Sequence, residues 1–442
     1  MVNSNTGHFE AETVNRESTV SVRESSILLD LNRDGEDPVC EFYTDHPYPP
    51  PVENLDRARD EWRDKNRDRA EYHLLWPDKR YRRDLDILVA GCGTWQAAKY
   101  ALCRPDARIV GVDVSKTSLD HTEELKRKYN LTNLELEQMP IERVTGLDQR
   151  FDLIVCTGVL HHLADPDMGL GALRSALKPD GAIYLMVYAP YGRAGVYMIQ
   201  EYCRSLGIGT SQQEVADLVT LVKALPQQHP LTALLRGSRD SLNADALADA
   251  LLNPRDRSYT VPQLLNFIER NGLTPGRWYW QAPYLPQCGS IAATPHAKRL
   301  NELPECEQYA AMELWRGTMT THSVIVYRSD ASREGKVYPL EDDRWPGYVP
   351  LRLAHTMCVQ ERLPPGAAGV LLNRSHQFHD LILVINAHEK KMFEAIDGRR
   401  SIAEILDHAG QDRSSDARGF FEKLWSYDQV VFDTSRHAVP SK

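Results

Sequence analysis

The sequence predicts an α/β fold: a doubly wound, mostly parallel sheet of seven strands, with a helical insertion and a small C-terminal α+β unit. Two observations carry this expectation. An apolar run of strand length, 86–90, breaks at Gly91 and Gly93 into a helical pattern, and a second run, 108–112, ends in an acid, Asp113. Apolar runs then keep alternating with helical segments as far as Tyr188, which specifies a parallel sheet covered on both faces. At 442 residues the chain exceeds what one hydrophobic core usually serves, so a second unit is expected.

In chain order, residues 1–35 are rich in Ser, Asn, Glu and Arg without steady periodicity and read as a flexible arm. Residues 36–80 read as an aromatic and helical lid segment: Tyr43, His46 and Tyr48 lie among stiffening prolines, and a charged helix pattern covers about 55–75. The core is placed at 81–329, with strands at 86–90, 108–112, 133–137, 151–156 and 182–188. A helical insertion occupies 195–260, a further helix 261–271, and apolar runs at 277–281 and 322–327 complete the sheet. After the charged stretch 330–344 a C-terminal unit spans 345–435. Its expected strands are 368–372 and 381–385, its helices 388–396, 401–409 and 415–426, and its closing strand 430–432.

The bulk composition narrows the function classes. A net charge of −10 and a pI near 5.9 argue against a general phosphate-backbone binder. The eight cysteines are scattered with no Cys-x-x-Cys pair, so neither metal-ligand spacing nor a dense disulfide framework is expected, and no metal is assigned. No apolar run approaches the ~18 residues of a membrane span. The polar N-terminus lacks an apolar signal core, which makes a cytoplasmic location the expectation.

The glycine loop and Asp113 suit a ligand with an adenosine-like group, since glycines admit close backbone approach and a carboxylate accepts ribose hydroxyls. A nicotinamide fingerprint needs a third glycine where this chain has Gln96, and no Gly-Lys-Ser/Thr follows for a P-loop. Downstream stand Phe151-Asp152-Leu153-Ile154-Val155, Gly158-Val159-Leu160-His161-His162-Leu163, and Leu177-Lys178-Pro179-Asp180-Gly181 leading into Ala182–Tyr188. Over residues 85–190 this series closely resembles the class I S-adenosylmethionine-dependent methyltransferases. The resemblance implies S-adenosylmethionine as cofactor. It places Gly91, Cys92 and Gly93 against the methionine and ribose, Asp113 and Val114 at the ribose, Gln138 and Met139 at the adenine, and Cys156 and Thr157 on the sulfonium side. A helix cap or turn is the alternative for Asp113, and core packing the alternative for Met139. The chain departs from the family pattern at Trp95, where glycine is common.

Near the carboxyl ends of the fourth and fifth strands, His161 is the first choice for a substrate contact and general base, because histidine titrates near neutral pH. His162 is expected to point into the fold, and Tyr188 and Arg193 to shape the acceptor pocket. Tyr43, Tyr48, Trp95, Tyr191, Arg257 and Tyr259 are further candidates for enclosing a substrate, with core packing or a solvated face as the competing reading. The segment 188–192 is superficially similar to the Asn-Pro-Pro-Tyr signature of amino-group methyltransferases, but that motif belongs after the fourth strand and the match is rejected. The C-terminal unit, with an Asp397-Gly398 turn and a Ser401-x-x-Glu404 capping box, resembles small winged-helix units related to the pyrroloquinoline-quinone peptide chaperone. That resemblance implies a peptide or protein partner, and a packing or homodimerisation role is the alternative. Together these readings describe a methyltransferase acting on a small-molecule or peptide-linked acceptor. A non-catalytic scaffold that kept the cofactor fold is the alternative, and nucleic acid ranks last among the acceptors.

Overall fold

The computed structural model describes residues 37–236, 243–331, 340, 342–411 and 415–435. The arm expected over 1–35 lies outside the described residues, as does much of the charged stretch after Asp330. The segment before the sheet is helical: α1 (Pro38–Asp45), α2 (Asp56–Glu61) and α3 (Lys65–Leu75). The single helix expected over 55–75 is two, because Asp64 caps a new start by accepting from the Asn66 N–H at 2.9 Å.

The core then alternates as β1 (Asp86–Ala90), α4 (Gln96–Cys103), β2 (Arg108–Asp113), α5 (Lys116–Tyr129), β3 (Leu134–Gln138), β4 (Phe151–Thr157), α6 (Pro166–Ala176) and β5 (Leu177–Tyr188). The helical insertion follows as α7 (Ala194–Leu206), α8 (Gln212–Lys223), α9 (Pro230–Arg236) and α10 (Ala244–Leu252). Then come α11 (Val261–Arg270), β6 (Leu273–Trp278), α12 (Ala297–Asn301), α13 (Glu305–Arg316) and β7 (Thr321–Arg328). The seven strands form one sheet in the order β3-β2-β1-β4-β5-β7-β6, parallel from β3 to β5 and antiparallel at β7 and β6. This is the class I methyltransferase sheet that the motifs implied.

Two boundaries differ from the sequence reading. The sixth strand starts at Leu273 rather than 277 and carries Pro275. Proline cannot donate to a ladder, but β6 is the edge of the sheet and its register slips between Pro275 and Arg277. The fifth strand starts at Leu177 rather than 182, with a register shift that takes pairing from Phe151–Leu177 to Leu153–Ala182. Lys178 projects from that irregular stretch onto Asp86 (2.7 Å) and Asp152 (2.8 Å). Both carboxylates stand at the amino ends of β1 and β4, so the acid that opens the fourth strand ties three strands together at the edge opposite the site.

The sheet's two faces bury separate apolar clusters, one around Leu88, Ile154, Leu185 and Phe267, the other around Ile87, Val89, Ile109 and Trp76. Neighbours in a strand go to opposite clusters, as the two-residue period requires. The C-terminal unit comprises β8 (Val349–Arg352), β9 (Thr356–Val359), β10 (Gly369–Asn373), β11 (Ile382–Ile385), α14 (Ala387–Glu394), α15 (Ile402–Ala409), α16 (Ser415–Ser426) and β12 (Val430–Asp433). It holds a three-stranded sheet, β11-β10-β9, and a two-stranded one, β12-β8. Leu351, Leu353 and Val431 of this unit join the cluster under β1 and α3, so the small unit shares a core with the large one. Among the described residues, no helix is long and apolar enough to cross a membrane.

Candidate functional site

At the end of β1 the chain turns through Gly91 (φ 69°) and Gly93 (φ 55°), backbone that L side chains rarely adopt. Space matters too: a Cβ at Gly91 would lie 2.3 Å from Val159 Cγ2. At Gly93 it would meet Pro49 Cδ at 2.7 Å and the Tyr48 carbonyl oxygen at 2.8 Å. The second glycine thus also admits the proline-rich segment against the loop. Thr94 Oγ1 donates to the Pro49 carbonyl (2.6 Å), and Ser115 Oγ to the Tyr43 carbonyl (2.9 Å).

Asp113, closing β2, accepts the Gly93 N–H on Oδ2 (2.8 Å) and the Ser115 N–H on Oδ1 (2.9 Å). Burial raises its pKa, against the pull of these backbone donors. Each oxygen keeps acceptor capacity, so the carboxylate can take two hydroxyls. Beside it opens a cavity of about 590 Å³. Gly91, Gly93, Asp113, Val114, Met139 and Thr157 line it, as do Tyr43, Tyr48, Trp95 and Tyr188. Trp95 stands on the wall without filling the space.

Other expected residues lie elsewhere. Cys92 and Cys156 are fully buried core thiols. Gln138 is exposed and donates through Nε2 to the Val114 carbonyl (3.0 Å), away from the cavity wall. Where the adenine was expected, the cavity wall is apolar, formed by Val114, Met139 and Ile141. Tyr259 is buried and stacks on Phe267, its N–H donating to the Tyr188 carbonyl. Tyr191 is exposed, and Arg257 donates its backbone N–H to the His161 carbonyl without lining the cavity. Arg193 is buried with its guanidinium on Asp256 (2.7 Å) and over the Tyr188 ring (3.6 Å), so its charge is already matched.

Both histidines are buried, and His162 rather than His161 is among the residues that line the cavity. His161 is 1% exposed, packed between His162 (4.3 Å) and Tyr188 (3.9 Å), with neither ring nitrogen hydrogen-bonded among the described residues. Burial, with the neighbouring His162, Arg193 and Arg257 charges, holds its pKa well below the ordinary value. His162 lines the cavity. Its Nδ1 faces the Arg255 carbonyl, which only accepts, so Nδ1 carries the proton, and Nε2 is buried without a partner among the described residues. The insertion and the leading segment hold that carbonyl in place. The Arg255 N–H donates to Asn253 Oδ1 (3.0 Å), Asn253 Nδ2 to Tyr43 Oη (3.0 Å), and Tyr43 Oη to Asp249 (2.8 Å).

The sequence reading also missed half of the cavity. Arg67 and Glu71 of α3, Lys99 and Tyr100 of α4, and Trp62 and Arg104 just past α2 and α4 line it, as do Tyr184 of β5 and Tyr279 just past β6. One signal was legible: in β5 the two-residue period places Tyr184, Met186 and Tyr188 on one face.

Residues 88–183 match the family model described as "Methyltransferase domain". An uncharacterized protein of Synechococcus is 32% identical over 255 residues, 55% of this chain and 60% of that protein. The ubiquinone biosynthesis O-methyltransferase of Neisseria meningitidis is 26% identical over 144 residues, 30% of this chain and 59% of that enzyme. The chain thus spans about 60% of the length of these curated relatives. Among solved structures, PKMT2 from Rickettsia typhi in complex with AdoHcy superposes with a TM-score of 0.56 at 16% identity, covering 83% of this chain and 73% of that one.

Proposed function

Residues 88–183 being a methyltransferase domain on the class I, S-adenosylmethionine-dependent fold, we propose that this chain transfers a methyl group from S-adenosylmethionine to a small-molecule or peptide-linked acceptor. One observation carries the reading: a single cavity is lined by Gly91, Gly93 and Asp113 of the glycine loop and by His162. The residues present fit the cofactor. Asp113 has acceptor capacity for the ribose hydroxyls, Val114, Met139 and Ile141 make a slot for a flat base, and Gly91, Thr157 and Gly158 leave backbone-lined room between them. When bound, the cofactor supplies an electrophilic methyl on its sulfonium. The protein's part is alignment, together with removal of a proton where the acceptor carries one. In this reading His162, a residue of the cavity wall, takes that proton, with its tautomer set by the Arg255 carbonyl. Tyr43 and Tyr48 bring the leading segment onto the cavity wall. A nucleic-acid acceptor is disfavoured, because Arg193 beside the histidines is buried on Asp256 instead of standing in an open basic groove.

Calorimetric titration with S-adenosylhomocysteine tests the cofactor assignment. Wild type should bind, and Asp113→Ala should weaken binding by roughly tenfold or more, the loss of charge-assisted hydrogen bonds. No binding by wild type, or equal binding by the variant, would refute it.

A further inference from the structure

The half of the cavity away from the glycine loop is not needed for the cofactor. We infer that it binds a planar aromatic acceptor carrying an anionic group, with Lys99 recognising the charge. The inference rests on the methyltransferase reading above and adds the acceptor's chemistry.

The walls are flat and aromatic. The rings of Tyr184 and Tyr279 stack at 4.5 Å and 27°, and Tyr100 and Trp95 complete the enclosure from α4 and its start. Such walls favour a flat ligand through offset or edge contacts. Three cations also line this half, and two are already matched. Arg104 pairs with Glu71 (2.9 Å) and Asp68 (3.4 Å), and Arg67 with Glu71 (3.5 Å) and Glu61 (3.7 Å). Lys99 has no carboxylate partner among the described residues; its ammonium lies 5.7 Å from the Trp95 ring centre and is half-buried. Trp62, on the same wall, lies under the guanidiniums of Arg67 (4.7 Å) and Arg104 (4.5 Å). An aromatic ring carrying a carboxylate suits both the flat walls and the unmatched Lys99. A cationic acceptor would meet the unmatched Lys99 ammonium, while the Glu71 carboxylate on this wall is already engaged by Arg67 and Arg104.

The test is calorimetric titration of the full chain with 3,4-dihydroxybenzoate, its neutral analogue catechol and its cationic analogue 3,4-dihydroxybenzylamine. Each is run with and without S-adenosylhomocysteine. The benzoate should bind about tenfold tighter than catechol, as expected of one charged contact in a partly buried site. Lys99→Met should abolish that preference while catechol and S-adenosylhomocysteine affinities and the melting temperature stay unchanged. Equal or tighter binding of catechol or the amine, no binding of any of the three, or a preference that survives Lys99→Met would overturn the inference. So would loss of S-adenosylhomocysteine binding in Lys99→Met, which would assign the lysine to the cofactor. A wild type that prefers the benzoate yet fails to bind S-adenosylhomocysteine would leave the acid site standing and refute the cofactor reading instead.

Discussion

His161 and His162 are chain neighbours in opposite chemical situations. His162 keeps one nitrogen bonded to the Arg255 carbonyl and belongs to the cavity wall, whereas His161 is sealed among rings. Replacing His162 by Ala should lower kcat by about a hundredfold or more if it removes a proton. S-adenosylhomocysteine affinity should stay within twofold of wild type, and a loss of that affinity would mark His162 as a cofactor contact instead. His161 speaks through stability. Burial depresses its folded-state pKa, so as pH falls below the unfolded value near 6.5 the unfolded chain takes up the proton first. The stability held by keeping it neutral is complete above that value and is lost below it, at up to about 1.4 kcal/mol per pH unit. His161→Phe keeps the packing against Tyr188 and should flatten the fall in urea midpoint between pH 7.5 and 5.5. An unchanged slope would show that His161 is not the group responsible. Nothing in the dipeptide His161-His162 distinguishes the two rings. The carbonyl that makes the difference lies more than 90 residues downstream.

At the scale of elements, the leading segment is fastened to the site at several points. Asp37 pairs with Arg255 (2.9 Å), a half-exposed contact that contributes little. The buried His46 ring reaches Asp245 (3.2 Å) and the Thr210 carbonyl (2.8 Å) on the insertion. The segment therefore bridges the glycine loop and the helical insertion. Gly93→Ala should loosen it, because the new Cβ strikes Pro49 and the Tyr48 backbone at a residue with φ 55°. The left-handed conformation alone costs about 1–2 kcal/mol for a non-glycine residue. Urea unfolding and S-adenosylhomocysteine titration should both show the loss, and a stable variant with normal affinity would refute this packing. The tyrosines and prolines of this segment were visible in the sequence as an unusual cluster ahead of the first strand. That they close on the second glycine was not, since that contact joins residues more than 40 positions apart.

The two units of the molecule are joined through a buried carboxylate. Asp428, fully buried beyond α16, accepts from Arg277 (3.1 Å) at the end of β6, from the Ala282 N–H (2.9 Å) and from His376 (3.0 Å). Burial lowers the pKa of Arg277, and Asp428 opposes that shift. Removing one partner of such a pair strands the other charge, at a typical cost of about 3–5 kcal/mol. Asp428→Ala should therefore lower the urea midpoint strongly, and a midpoint within error of wild type would show that the units do not depend on this link. The sequence by itself determined the sheet, the glycine turn and the acid after the second strand, because two- and 3.6-residue periods and glycine's backbone freedom act over a few neighbours. It also pointed through its motifs to the cofactor. Tertiary structure alone decided which histidine faces the cavity, which arginines are already spent on carboxylates, and that an aromatic half with an unmatched lysine adjoins the glycine loop. Those outcomes depend on which groups distant in the chain come within hydrogen-bond or ion-pair reach, and no local pattern encodes that.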